Sequence, residues 1–448
     1  MNTKACVVIG AGLSGLAAAY HLTQKKWKVT VLEATKRLGG RVMTHHFGAA
    51  RHLNCELGGE WIGEDHHEMR RLCCAFDLEL QQHQYANSFW NQIKSTRLFA
   101  PGEWCMSADS YKIWKKFKND FWNYTPDDLR QLDKIDWWTK LRELKLKELK
   151  FSNDDLLRRD LMDSTDFGET IRMNSAYTAA TEYLSSKDQT VNDTDEMDYK
   201  VVGGNTRLVN ALANAVGREN IHTSCEVTGI HQSKGQMQIF VKSQPRPLQP
   251  DFCICAIPAR CLVDIDWGKE RPVEKLAAAR QLQYARITKT AVLCSHRFWP
   301  QPKKAGFSVC TSLASDFCFD STYGQEGDRR ILCSYAVGDK ADDIASSPLR
   351  KLKNWIVEDV AHAYHLPWSP RKSDQTALAI KQQPWQKDPF ARGAYAFYRP
   401  GQWFTVRPAL RKPFKKVFFA GEHIADWQGF MEGAVVTGKQ AANAVLRY

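Results

Sequence analysis

Gly10, Gly12 and Gly15 stand in Gly10-Ala11-Gly12-Leu13-Ser14-Gly15, directly after the apolar run Ala5-Cys6-Val7-Val8-Ile9. A small-residue run, Leu16 to Leu22, follows, and a second apolar run, Val29 to Leu32, ends in Glu33 and Ala34. Strand, glycine turn, helix, strand, acid is the order that holds a dinucleotide. Gly10 permits the tight turn, Gly12 lets backbone approach a pyrophosphate, and Gly15 lets the helix pack on the strand. The helix start at Leu13 and Ser14 offers free N–H groups and a positive dipole end to phosphate. Glu33 is placed to accept two ribose hydroxyls. A second chemical candidate is Lys289, within Ile287-Thr288-Lys289-Thr290-Ala291-Val292. A lysine in a β-rich apolar run is either on the exposed face of an edge strand or buried for a purpose, because burial without a partner is costly.

These residues need a frame. Residues 1 to about 75 read as the start of a dinucleotide-binding unit. Residues 76–199 are rich in charge and Trp, with helical spacing at Ile135, Trp138, Leu141, Leu144 and Leu149, so this stretch is expected to be largely helical. A turn at Val201-Val202-Gly203-Gly204-Asn205 leads to a helix over 207–216, then to short strands at 221–222, 225–230, 237–241 and 252–257. Strands with an embedded helix at 349–363 fill 276–399. The chain returns to strand, turn and helix over 416–446. The expected fold is α/β. A Rossmann-like nucleotide domain is assembled from 1–75, 200–275 and 400–448, and an α+β substrate domain from 76–199 and 276–399.

At 448 residues the chain can bury a large core. It has no apolar stretch near the roughly eighteen residues of a membrane span, and its first strand begins at Ala5, so a cytoplasmic location without membrane attachment is expected. The 13 cysteines are odd in number and scattered, which favours reduced thiols over a disulfide framework. No metal is expected: His45-His46 and His66-His67 lack further ligands at a recognisable spacing. The net charge of +12 is dispersed and reads as a solvated basic surface, with no nucleic-acid partner expected.

Five spaced motifs resemble the flavin-containing amine oxidase family over nearly the whole chain, most closely bacterial L-amino acid oxidases. After the glycine turn comes Arg37-Leu38-Gly39-Gly40-Arg41, where the resemblance implies a pyrophosphate loop with Arg41 neutralising phosphate. Glu56-Leu57-Gly58-Gly59-Glu60-Trp61-Ile62-Gly63 resembles the segment that meets the flavin ring. Val227 matches the valine at the adenine. Lys289, at its distance from Phe298-Trp299, matches the lysine that holds a water against flavin N5. The tail Ala420-Gly421-Glu422-His423 and Gly429-Phe430-Met431-Glu432-Gly433-Ala434 matches the most family-specific piece: Glu422 would bind a hydroxyl on the ribityl or phosphate side, and amides near Met431 would face the flavin N1–C2=O2 edge. Tyr395 and Phe430 match two aromatic walls around a substrate amine, unless both are core aromatics.

The resemblance implies FAD. Monoamine oxidases attach it through a cysteine just before the tyrosine; that position is Ala394 here, so non-covalent FAD is expected. The implied reaction takes hydride from the carbon bearing an amine and passes the electrons to O2. The expected substrate is a small-molecule L-amino acid, giving 2-oxo acid, ammonia and H2O2, in a homo-oligomer, expected as a dimer. Lys289 is the expected catalytic residue, through its tunable pKa, and Glu60, Trp61, Tyr395 and Phe430 the substrate contacts, with Glu60 drawing an ammonium. Some L-amino acid oxidases carry a carboxylate-binding arginine as G-x-M-R; Gly59-Glu60-Trp61-Ile62 has none, so the anchor must lie elsewhere. A soluble monoamine or polyamine oxidase giving aldehydes is the alternative.

Overall fold

The computed structural model describes residues 4–89, 95–99, 107–148, 153–183, 198–242, 244–302, 306–310 and 314–448. A five-stranded parallel sheet runs in the order Val417–Phe419, Phe252–Cys255, Ala5–Ile9, Lys28–Leu32, Ile221–His222. Its central strands are buried on both faces, as parallel strands must be, and read as continuous Val, Ile and Cys. The strands end together on one edge, where Gly10, Glu33, Ala256 and Gly421 continue the chain.

Two helices cover one face. Leu13–Thr23 presents Leu16, Ala18, Ala19 and Leu22, and Met431–Leu446 presents Val435, Ala442 and Val445, to a shared core. Their approach is set by missing side chains. A Cβ on Gly15 would lie 1.9 Å from the Gly10 carbonyl oxygen, and one on Gly438 would lie 2.2 Å from that of Ser14. The first helix is therefore held against its strand on one side and the last helix on the other.

The second layer is a seven-stranded sheet in the order Ala377–Pro384, Ile287–Cys294, Arg330–Val337, Phe317–Asp320, Gly306–Cys310, Tyr85–Phe89, Ser95–Phe99. Every pairing is antiparallel except Gly306–Cys310 with Tyr85–Phe89. All eight residues of Ile287–Cys294 are buried, so this is an interior strand and not an edge. Helices Gly338–Ser346 and Leu349–Ala363 pack against the sheet.

Within 76–199, helices occupy Ala108–Phe121, Pro126–Asp133, Trp137–Glu148, Asn153–Phe167 and Ala176–Tyr183. Leu141 is buried beside Trp114 and Trp137, with Ile135, Trp138 and Leu144 partly buried around them; Leu149 lies outside the described residues. Before these helices the reading is corrected. Leu80–Gln82, Tyr85–Phe89 and Ser95–Phe99 are strands, and the last two extend the large sheet. Strands this short carry too little alternation to show in sequence.

Among the described residues no helix is long and apolar enough to cross a membrane, no group of three His, Cys, Asp or Glu side chains could hold a metal ion, and the cysteines are free thiols. The Gly438 contact predicts that Gly438→Ala forces the two covering helices apart. The expected cost is about 1–3 kcal/mol, the scale of overpacking a tight core, read as a lower urea midpoint.

Candidate active site

A cavity of about 930 Å³ opens where the parallel strands end and runs to the large sheet and the helices, at the upper end of the roughly 300–1,000 Å³ of small-molecule sites. At its first end Gly10, with φ of +99°, donates its N–H to the Leu32 carbonyl at 2.8 Å. Gly12 is the N-cap of Leu13–Thr23 and brings no side-chain cap, so the N–H groups of that first turn point into the cavity mouth. Gly39 donates its N–H to the Ala11 carbonyl at 2.8 Å, which docks the Gly39-Gly40 loop on the glycine turn. Arg37 braces that loop by donating to the carbonyls of Leu38 and Val42.

Glu33 is buried. One of its oxygens accepts the Ala11 N–H at 2.9 Å, the other the Thr35 N–H and hydroxyl. Ala34 and Val227 line the same end. Gly15 does not reach the cavity; it sits behind the turn and serves only the helix packing.

Arg41 and Glu422 meet at 2.7 Å, and Arg41 also donates to the Ala394 carbonyl at 2.9 Å. Burial works against the guanidinium's charge, and Glu422 more than offsets it, so Arg41 is held above its ordinary value. The second Glu422 oxygen accepts the Gly429 N–H at 3.0 Å. Arg41 thus has a carboxylate partner already, and the pair fastens the Gly39-Gly40-Arg41 loop to the tail motif. Gly421 donates its N–H to the Thr437 hydroxyl. Phe430 is the N-cap of Met431–Leu446, again without a side-chain cap, so a second helix N-terminus opens on the cavity.

Gly58 and Gly59 form the floor between the two ends. A Cβ on Gly58 would lie 2.0 Å from the Arg41 carbonyl oxygen, and one on Gly59 would lie 3.1 Å from Met431. The backbone therefore lies flat here. Trp61 Nε1, Gln428 Oε1 and His423 Nδ1 are buried atoms of cavity-lining residues with no hydrogen-bond partner among the described residues. Buried donors and acceptors left unmade are expected to face a ligand. Together with two bare helix N-termini and a flat glycine floor, they fit a flavin dinucleotide.

Lys289 rises from its buried strand beneath this floor. Its ammonium donates to Glu60 Oε2 at 2.6 Å, the Gly58 carbonyl at 3.1 Å and the Glu56 carbonyl at 3.3 Å. Burial would drive the ammonium toward neutrality, but the Glu60 carboxylate reverses this and holds Lys289 above the ordinary lysine value. The expectation of a tunable lysine is corrected: the ion pair fixes it as a cation. Glu60 is corrected as well. Its side chain has 0% exposure, with one oxygen on Lys289 and the other 2.9 Å from His83 Nε2. Burial would raise its pKa, yet Lys289 and then His83 bring it down to about 2. A desolvated carboxylate takes the nearest cation, so it does not serve as an ammonium trap for substrate.

Tyr395 and Phe430 both line the cavity. The Tyr395 hydroxyl donates to the Asp166 carbonyl at 2.5 Å and lies 3.1 Å from the Tyr335 hydroxyl. Its one proton is spoken for, which leaves the ring as its working surface. Gly429 rests on that ring; a Cβ there would lie 3.6 Å from it. The Phe430 ring is set by His66 at 5.4 Å and Trp427 at 6.4 Å.

Sequence reasoning missed the far wall: Tyr85, Trp114, Arg159, Asp166, Tyr183 and Tyr335. They come from the inserted helices and the large sheet and form no motif. Arg159 is paired with Asp163 at 2.8 Å and lies between the rings of Trp114 and Tyr183. Burial raises Asp166 to about 6. Arg286, just before the Lys289 strand in sequence, is turned to Glu169, Asp339 and Asp342 and does not line the cavity.

Comparison with known proteins places the chain in a family. The chain is 26% identical to L-amino acid oxidase Lm29 of Lachesis muta over 100% of its own length and 87% of the relative's. It is also 26% identical to the L-amino-acid oxidase of Echis ocellatus, over 99% and 89%. In structure it is similar to putrescine oxidase bound to putrescine, with a TM-score of 0.83 at 19% identity covering 100% and 99% of the two chains. Cyclohexylamine oxidase from Brevibacterium oxydans IH-35A gives a TM-score of 0.82 at 21% identity over 99% of each. The sequence model of the family described as flavin-containing amine oxidoreductase matches residues 13–446, and the chain belongs to that family.

Proposed function

We propose that this flavoenzyme is an L-amino acid oxidase: amino acid, water and O2 give 2-oxo acid, ammonia and H2O2. The observation that carries the oxidase half is the Lys289 ammonium held under the Gly58–Gly59 floor. Whole-length likeness to L-amino acid oxidases supports the substrate class. Bound FAD supplies the hydride acceptor and the route of electrons to O2. The chain's own residues do the rest. Tyr395 and Phe430 align the amino-bearing carbon and exclude water. The helix N-terminus at Met431 would favour negative charge on a flavin bound in the cavity. Lys289 would supply a fixed positive charge beside the Gly58–Gly59 floor for the reduction of O2.

FAD is held without a covalent bond in this reading. Ala394 offers no thiol, and Cys261, a thiol on the cavity wall, is pushed up to about 11 by burial and is a poor nucleophile. Acid precipitation is expected to release all the flavin into the supernatant; flavin left on the precipitated chain would refute this.

A second reading, oxidation of simple amines or diamines to aldehydes, is favoured by one specific observation. The described arginines lining the cavity are all engaged: Arg37 with backbone carbonyls, Arg41 with Glu422, Arg159 with Asp163, Arg392 with Asp264. H2O2 release from L-amino acids, D-amino acids and the matching decarboxylated amines separates the two. Turnover of L-amino acids with 2-oxo acid product is expected, and turnover of the amines alone would replace the first reading by the second. Lys289→Met is expected to slow reoxidation by O2 roughly 10²-fold, the scale of a lost preorganised charge, while flavin content stays near one per chain. Unchanged reoxidation would remove Lys289 from the mechanism.

A further inference from the structure

We propose that Glu60 is a positioning residue for Lys289, and that His83 and Tyr85 tether it, so that four side chains from three parts of the chain act as one clamp beneath the flavin floor. This rests on the oxidase reading of Lys289 given above, but not on which amine is the substrate.

The geometry is a continuous chain of contacts. Glu60 Oε2 is 2.6 Å from Lys289 Nζ, Glu60 Oε1 is 2.9 Å from His83 Nε2, and the Tyr85 hydroxyl is 2.6 Å from the same nitrogen. All four residues are buried. His83 is fixed from behind, because its backbone N–H donates to the Asp198 carbonyl at 2.6 Å. Burial, with Lys200 nearby, lowers the imidazole to about 4, so it is neutral; opposite an ionised carboxylate, Nε2 carries its proton.

A lysine side chain is long and flexible, and its ammonium can rotate. Here the ammonium sits 5.2 Å from the Trp61 ring and 5.8 Å from those of Phe319 and Tyr335, with three acceptors in reach: Glu60, Gly58 and Glu56. The two backbone carbonyls belong to the floor itself. Glu60 is the charged member of this set, and it alone can hold the ammonium charged in so dry a place. The other titratable groups facing Lys289 are Cys333 and Tyr335 on the neighbouring strand. Behind Glu60 lie Glu56, raised by burial to about 7, and the buried Lys200, whose ammonium donates to the Ser321 carbonyl.

The test uses holoenzyme whose flavin is photoreduced without substrate and then mixed with O2 from pH 6 to pH 10, so failure to oxidise amino acids leaves it untouched. In the native protein the reoxidation rate is expected to be flat above pH 8, because Lys289 stays charged throughout and Glu56, at about 7, has finished titrating. In Glu60→Gln the rate is expected to fall at least tenfold at pH 7 and to decline further as pH rises, because an ammonium without its counterion titrates in that range. At pH 6 the flavin reduction potential is expected to move positive, since a buried negative charge on the cavity lining is gone. Adding Glu60→Gln to Lys289→Met should slow reoxidation no further. Should Glu60→Gln yield no flavoprotein, Glu60→Asp carries the test. It keeps the charge but withdraws it, and is expected to give a flat profile at a reduced rate, rescued toward native only by glutamate. A flat profile within twofold of native in Glu60→Gln, an unmoved potential, native reoxidation in Glu60→Asp, or additive losses in the double variant would each overturn the proposal.

Discussion

Close approach of backbone to backbone is the constraint on which the rest of this structure depends. Gly15 against Gly10, Gly438 against Ser14 and Gly58 against Arg41 bring main chain within distances that no side chain allows. The first two contacts wedge the opening helix between a strand and the closing helix, so both helix N-termini arrive at one cavity. The third flattens the floor between them. With an uncapped helix N-terminus at each end, the scaffold presents partial positive charge that would suit the negative groups of a flavin dinucleotide.

The second organising force is desolvation. The cavity floor buries Lys289, Lys200, Glu60, Glu56 and His83 within one region, and each is settled by its nearest partner. Lys289 and Glu60 stabilise each other's charge; His83 gives up its charge and donates a proton in a hydrogen bond instead. Removing one member leaves the other as a buried ion, which costs about 3–5 kcal/mol. The same logic commits Arg41, Arg159 and Arg392 of the cavity wall to carboxylates and Arg37 to backbone carbonyls.

Much of this is visible in the amino-acid sequence, for a physical reason. The glycine turn, the acid after the second strand and the tail motif act through backbone, and backbone requirements leave local marks: Gly10 needs a positive φ, and Gly58 tolerates no Cβ. The α/β fold follows from the same strand–turn–helix periodicity. What stayed hidden acts through tertiary neighbours. Glu60 reads as an acid near the substrate, and only the approach of His83, 23 residues later, and Lys289, 229 residues later, shows that both of its oxygens are taken. Asp166 and Arg159 lie on one face of an ordinary amphipathic helix and carry no spacing of their own. The strand at 85–89 gains its identity from pairing with a strand more than 200 residues away, at 306–310, and the strand at 95–99 pairs in turn with 85–89.

The order of strands in the parallel sheet bears on how the chain is made. Ala5–Ile9 lies beside Phe252–Cys255, which lies beside Val417–Phe419, and Glu432 accepts the N–H groups of Glu68 and Met69 at the start of an early helix. The ribosome delivers the first of these segments long before the last. The glycine turn therefore emerges without the helix that covers it, and the cavity closes only when the C-terminal helix has left the exit tunnel. During that interval Leu16, Ala18 and Leu22 lack half of their core. Long-range parallel pairing is slow to form, and incompletely packed intermediates of large chains expose such surface. For this protein, synthesis passes through a stage in which the nucleotide-binding half is translated but cannot yet hold its cofactor.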